Sequence, residues 1–368
     1  MLITIITSPF LEIPPDSIGA IERRWFNVAG CLAKSGHSIT MIAKKGKTIL
    51  EDEPNFKRRY VKGFGRTGSV YKDILLDIIY SFKTLWVMEK TDILVCNTFW
   101  TPILAPMFFC WKYKKLVYNV ARFPKGHLKL YKKVDDFVCT SAAVNSAMKA
   151  MHPQFAAKTH TVSNPIDTSI FNPSMPIASE SKLVGYHGRI SREKGLDILA
   201  KAARALKEEF PKLKLRFIGP VAKARGGEGE QFQREIDALA PGMIEWLEPI
   251  SDRGRLAAKL RECAIYCYPS VAEKGETFGV SPLEAMGLGL PTIVSNLECF
   301  SDFVEDGVNA IRFNHRASDS VGELKVALKK LLGDATLRSN LGAAAGKTAQ
   351  KFSTEAIADH WIERFLNA

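Results

Sequence analysis

The sequence lacks a cysteine set that pairs off. Cys31, Cys96, Cys110, Cys139, Cys263, Cys267 and Cys299 make an odd seven with no tight metal spacing. Cys263 and Cys267 flank an apolar, strand-like stretch, and no second pair completes a zinc pattern. Reduced, partly buried thiols of a cytoplasmic protein are expected instead. A long apolar run is also missing. The longest, Ile103–Trp111, is far shorter than the about 20 residues that cross a bilayer. Met1–Thr7 reads as a short strand with no positive region ahead of it, and so not as a signal peptide. Any work at a membrane is therefore done from its surface. No Gly-x-Gly-x-x-Gly follows Ile6, which argues against a dinucleotide oxidoreductase. No helix-turn-helix, zinc or RNP-type pattern supports a nucleic-acid binder.

What is present describes an ordinary folded protein of two domains. The chain has 368 residues, 46% hydrophobic and 24% charged. The net charge of +12 is unevenly spread. Residues 1–163 hold 24 Lys and Arg against 12 Asp and Glu, whereas the remainder holds 27 against 27. The basic half either meets an anionic partner (a membrane surface, an acidic glycan or a nucleic acid) or is simply a solvated surface.

Along the chain, Leu2–Ile6 reads as a buried strand. Ile21–Lys34 reads as a helix with Trp25, Val28, Ala29 and Leu32 on one stripe, and Ile39–Ala43 as the next strand. Further strands are expected at Ile93–Cys96, Lys115–Val120 and Asp136–Thr140. Alternation of this kind makes a parallel sheet with helices on both faces. Val162–Pro176, with Asn164-Pro165, Asn172-Pro173 and Pro176, breaks the pattern and reads as a linker. The pattern then restarts: strand Leu183–His187, helix Leu196–Phe210, strands Lys214–Ile218, Ile265–Tyr268, Thr292–Ser295 and Ala310–Phe313. A last helix, Thr354–Leu366, carries Ile357, Trp361 and Phe365 on one side. Two α/β modules joined by a hinge are expected to face each other across a ligand cleft.

Two segments carry the chemistry. In Glu276-Thr277-Phe278-Gly279-Val280-Ser281-Pro282-Leu283-Glu284, Pro282 is tolerated only near a helix start, so a helix is predicted from about Val280. Its first N–H groups suit an anion. Glu276 precedes that helix and Glu284 lies about one turn into it, so both carboxylates can address one ligand, and Gly279 permits close backbone approach. A phosphate flanked by hydroxyl groups describes a nucleotide sugar. Gly188-Arg189-Ile190-Ser191-Arg192-Glu193-Lys194-Gly195 follows a strand and places Arg189 and Lys194 to clamp a diphosphate. A basic loop paired with local acids such as Glu193 is the other reading of that segment.

These residues resemble the GT4 retaining glycosyltransferases of GT-B fold. Glu276 to Glu284 matches their E-x7-E signature. Gly19-Ala20-Ile21-Glu22 is similar to the first-loop G-G-I-E, and Ser35-Gly36-His37 to R-G-H. Asn164-Pro165-Ile166-Asp167 with Phe171 is similar to the hinge N-G-V-D…F. Gly188-Arg189…Lys194-Gly195, Glu284-Ala285-Met286-Gly287…Pro291 and Glu305-Asp306-Gly307 follow in the family's order.

The resemblance implies an acceptor-binding Rossmann-like domain over 1–163, completed by the C-terminal helix 352–368. It also implies a hinge over 164–180 and a donor domain over 181–351. Arg189 and Lys194 would neutralise the donor diphosphate in place of a metal, and no Asp-x-Asp is present to hold one. Glu276 would touch the transferred sugar, Glu284 the ribose, and Gly188, Gly279, Val280 and Ser281 the sugar and phosphates. Gly19 would approach the phosphates, and the backbone of Pro249 and Ile250 would meet the base. The implied reaction moves a hexose from a UDP-sugar such as UDP-glucose, with no cofactor, to a glycan or lipid-linked glycan acceptor in surface polysaccharide synthesis. It would take place in the cytoplasm or on the cytoplasmic face of an anionic membrane. Trp111–Lys115 and Lys125–Lys133, with Phe99, Trp100, Phe108 and Phe109, would sit on lipid or belong to the core.

The departures are specific. Ala20 and Pro165 replace family glycines, and no His stands near Ala121, where the family often has one. His127 either substitutes for it or is a surface histidine; His187 either reaches the phosphates or is a core histidine. Rival readings are an epimerase or sugar-phosphate synthase on the same fold, or a basic nucleic-acid-binding protein.

Overall fold

The computed structural model describes residues 1–14, 19–178 and 181–366, and the chain divides into two compact units. The first runs from Met1 to Pro165 and takes in the segment from Thr354 onward; the second is Ile166–Ser353.

The first unit is built on strands β1 (Leu2–Ile6), β2 (Ser38–Lys44), β3 (Phe56–Val61), β4 (Thr91–Cys96), β5 (Tyr113–Val120), β6 (Asp136–Cys139) and β7 (Thr159–Thr161). They form one parallel sheet in the order β3-β2-β1-β4-β5-β6-β7. Helices α1 (Ala20–Lys34), α2 (Val70–Val87), α3 (Thr101–Phe108) and α4 (Ala142–Met151) make the crossovers. The expected stripe of α1 is the buried one: Trp25, Val28 and Ala29 are fully covered and Leu32 nearly so. Burial of side chains such as Val28 and Leu32 contributes about 1.5–3 kcal/mol each.

The second unit repeats the plan with β8 (Leu183–His187), β9 (Lys214–Ile218), β10 (Ile244–Leu247), β11 (Ile265–Tyr268), β12 (Thr292–Ser295) and β13 (Ile311–Phe313). These are again parallel, in the order β10-β9-β8-β11-β12-β13. Its helices are α5 (Leu196–Arg204), α6 (Glu230–Leu239), α7 (Arg253–Arg261), α8 (Val280–Gly287), α9 (Ser320–Gly333) and α10 (Ala335–Gln350). Helix α5 stops at Arg204 rather than reaching Phe210. There the backbone tightens into three-residue bonds such as Leu206 N–H to the Ala203 carbonyl and Lys207 N–H to that of Arg204.

The stretch expected as a hinge is divided. Asn164 and Pro165 end the first unit, while Ile166 and Phe171 are buried in the second, and residues 179–180 lie outside the described residues. The Ile166 N–H donates to the Phe352 carbonyl at 2.8 Å, so the chain enters and leaves the second unit at one place. Helix α11 (Thr354–Trp361), prolonged by a wider turn over Ile362–Leu366, then packs on α1 of the first unit. Trp361 meets Trp25 edge-on at 5.0 Å. Ile357, Trp361 and Phe365 are the buried side of this last segment, as its periodicity predicts.

Candidate functional site: the switch point of the second sheet

In both sheets the strand order reverses beside the first strand, and ligands of such sheets bind at the carboxyl ends flanking that reversal. In the second unit the flanking loops follow β8 and β11. They are the two segments that the motifs single out.

The loops are stitched together. Val271 N–H donates to the Glu193 carbonyl at 2.9 Å, and the Ser270 hydroxyl to the same oxygen at 3.2 Å. Gly195 stands at φ +64°, and a Cβ there would overlap the Pro269 carbonyl, so only glycine allows this approach. The result places Lys194 Nζ 2.6 Å from Glu276 Oε2. Lys194 is 5% exposed and Glu276 12%. The Tyr268 hydroxyl donates to the same carboxylate oxygen at 3.0 Å, and the lysine ammonium lies over its ring at 5.4 Å. Burial first, then the Glu276 charge, pushes the Tyr268 phenol well up, so it remains a donor.

Helix α8 starts at Val280 as predicted. Gly279 precedes it at φ +98°, where a side chain would run into Phe300, and no side chain caps the helix start. The amides of Val280 and Ser281 therefore open the helix beside Glu276. Glu284, one turn in, is buried between a histidine and an arginine. His187 Nε2 lies 3.0 Å from Oε2, and Arg253 pairs with Oε1. Burial raises the Glu284 pKa, but Arg253 and His187 more than offset this and hold the carboxyl below its ordinary range.

Among the residues singled out from sequence, Lys194, Glu276, Val280 and Ser281 gather on one side of the switch point, with Glu284 and His187 as a second cluster one helical turn along α8. Gly188 joins the loop to β9, its N–H donating to the Ile218 carbonyl at 3.0 Å. Arg189 is not drawn into either cluster. It is half exposed and bonds Glu193 at 2.6 Å within its own loop, as the alternative reading of that segment anticipated. Pro249 and Ile250 follow edge strand β10 and are half-buried. Gly19 belongs to the first unit, where its carbonyl accepts the Arg23 N–H at 3.0 Å at the start of α1. His127 is also in the first unit, half-buried against Phe99 at 4.8 Å, and its pKa is lowered by burial and then by Lys125 and His152. It lines a cavity of about 600 Å³ at the carboxyl ends of β1, β4 and β5, with Glu22, Arg66, Asp77 and Arg122.

Sequence reasoning missed two residues. Tyr268 ends β11 at the switch point, a place that by itself marks a ligand-facing side chain. Arg253 opens α7 and lies over Phe171 at 4.8 Å; nothing local in the sequence distinguishes it from other arginines.

Two parallel sheets of this strand order, the second with a cation–carboxylate pair and an uncapped helix start at its switch point, define a protein of GT-B type. Solved structures agree in fold. A sucrose-phosphate synthase from Thermosynechococcus elongatus superposes with a TM-score of 0.80 at 17% identity, over 99% of this chain and 98% of that one. Anabaena Alr3699/HepE, in complex with UDP and glucose, gives 0.75 at 17% identity over the whole of both chains, 100% each. Residues 168–348 match the family model described as glycosyl transferases group 1. A phosphatidyl-myo-inositol mannosyltransferase of Mycobacterium leprae (strain TN) is 31% identical over 178 residues, which are 48% of this chain and 44% of that protein. The match thus spans less than half of that relative's length.

Proposed function

We propose that this chain is a retaining hexosyltransferase of the GT4 type. It takes its sugar from a nucleoside diphosphate, UDP-glucose in the first instance, and passes it without a metal to a glycan or lipid-linked glycan of surface polysaccharide synthesis. The carrying observation is the Lys194–Glu276 pair at the switch point, beside the open start of α8. The HepE complex with UDP and glucose supports the donor class. The mannosyltransferase relative, named for phosphatidyl-myo-inositol, supports an acceptor carrying a lipid.

In this reading the diphosphate rests on the N–H groups of Val280 and Ser281. Lys194 uses the donors it does not spend on Glu276 to neutralise the leaving phosphate. Glu276, held by Lys194 and Tyr268, receives the sugar hydroxyls, and Glu284 receives those of the ribose. Arg189 reaches the phosphates by releasing Glu193, a surface pair whose loss costs only about 0.2–1 kcal/mol. As the bond between the anomeric carbon and the diphosphate oxygen breaks, charge develops on the sugar; the acceptor hydroxyl oxygen bonds that carbon from the same face and its proton passes to the departing phosphate. The protein's part is positioning and charge neutralisation. The cavity of the first unit, lined by Arg66, Arg122 and His127, is assigned to the acceptor.

Donor hydrolysis across a panel of nucleotide sugars tests the class. Glu276→Gln is expected to lower kcat/KM for the preferred donor by about 10²-fold, as loss of a transition-state hydrogen bond does, with UDP affinity within about twofold. Full transfer by Glu276→Gln would remove this role. Because cationic side chains are assigned the metal's task, turnover is expected to stay within about twofold after dialysis against EDTA. Loss of activity restored by magnesium or manganese would contradict the assignment.

A further inference from the structure

Helix α2 is inside out. Its buried positions include Asp77, Ser81 and Thr84. Its solvent side carries Tyr71, Leu75, Ile79, Phe82 and Trp86, with Trp86 69% and Leu75 61% exposed. These apolar residues recur every three or four positions and so form one stripe along the helix, the reverse of an ordinary surface helix. The inward polar groups have a local task. The Asp77 carboxylate accepts from the Ser81 hydroxyl at 2.8 Å and from the N–H groups of Phe99 and Trp100 at 3.2 Å each, holding the start of α3.

The stripe extends beyond the helix. Phe82 stacks on Trp86 at 6.3 Å and meets Phe109 edge-on at 5.5 Å, and Phe109 contacts Trp111 at 6.0 Å. Trp111 is 64% exposed, and Met107 and Phe108 of α3 are exposed nearby. Phe109, expected from sequence in the same patch, is buried beneath it. Monomers rarely show a continuous apolar face of this kind without an occupant.

Charge identifies the occupant. Lys72, Lys83 and Lys90 are exposed around the patch, and Lys114 is exposed but pairs with Asp92 at 2.7 Å, whereas between Val70 and Lys115 Glu89 is the one exposed acid. A second copy docked by a two-fold axis would set these lysines against one another. Tryptophan and tyrosine rings bordered by lysine suit the headgroup layer of a bilayer with anionic lipid. We propose that this face docks on an anionic lipid surface, with α2 lying along the headgroup plane. The attachment is peripheral: among the described residues no helix is long and apolar enough to cross a membrane. The opposite side of α2, through Val70, Ile74 and Asp77, lines the cavity assigned to the acceptor. Docking would therefore bring that cavity's wall to the lipid; this consequence rests on the acceptor reading, while the docking does not.

Flotation of the purified full chain with vesicles of phosphatidylcholine, with and without phosphatidylglycerol, tests the proposal. The chain is expected to float with the anionic vesicles only, and less at high salt. Lys83→Gln with Lys90→Gln should lower partitioning on the order of 20-fold, about fivefold per lysine. Leu75→Ser with Trp86→Ser should lower it on the order of tenfold or more. All these side chains are exposed, so UDP affinity measured by calorimetry should match the wild type and report an intact fold. Absence of flotation with anionic vesicles, or flotation unaffected by either pair of substitutions, overturns the proposal. So does a concentration-dependent dimer that Trp86→Ser dissolves, which would assign the face to a second copy. None of these outcomes bears on donor hydrolysis, which tests the transferase reading separately.

Discussion

Lys194→Ala is expected to reduce sugar transfer by about 10²–10³-fold, the range seen when a preorganised charge partner of the leaving group is removed. The loss should fall on kcat, because Lys194 is assigned to charge that grows as the phosphate departs. Stability should suffer too. Among the described residues Glu276 would keep only Tyr268 as a side-chain partner at 12% exposure, and breaking a buried pair costs about 3–5 kcal/mol. Single-turnover transfer and urea unfolding separate the two effects. Pairing Lys194→Ala with Glu276→Gln should restore much of the stability and none of the rate. Lys201→Ala, on the exposed side of α5, serves as the neutral control. Turnover within about threefold of wild type for Lys194→Ala would show that the cation is structural only.

Glu284→Gln is expected to weaken UDP binding by about 10–100-fold, the worth of one charged hydrogen-bond acceptor. It should also destabilise the protein by about 2–4 kcal/mol, below the full buried-pair range because Arg253 remains 22% exposed. The sign of the pH dependence is set by the downward shift. Glu284 titrates lower in the folded state than its ordinary value of 4.5. Its contribution is therefore complete above that value and disappears as pH falls through the folded pKa. The gap in urea midpoint between wild type and Glu284→Gln should be wide at about pH 7 and shrink progressively as pH falls below the ordinary carboxyl value. A gap that stays constant would mean that the Arg253 and His187 contacts are not its source.

The central strands of both sheets were legible in the sequence. β8, β9, β11 and β12 stand where they were expected, because strands covered on both faces are mostly apolar; β9 keeps one buried charge, Arg216, which pairs with Glu245 and Glu262. The strands that were not legible, β3, β7 and β10, are edges. Edge strands are short and carry charge, as in Phe56-Lys57-Arg58-Arg59 of β3, so no run or alternation marks them. Helix α2 carries a periodic apolar stripe, but that stripe faces solvent, while Asp77, Ser81 and Thr84 are buried with Tyr80 and Leu85; periodicity alone does not say which face turns inward.

By itself, the sequence determined the two-unit α/β plan and the start of α8 at Val280, since strand burial, proline placement and glycine turns are local matters. Only the tertiary structure decided the partners. Lys194 and Glu276 are 82 residues apart, and what brings them to 2.6 Å is the placing of β8 beside β11, a long-range choice of sheet order. Arg189, equally basic and five positions before Lys194, found Glu193 first, because a neighbour four residues on in the same loop is reached without any help from the fold.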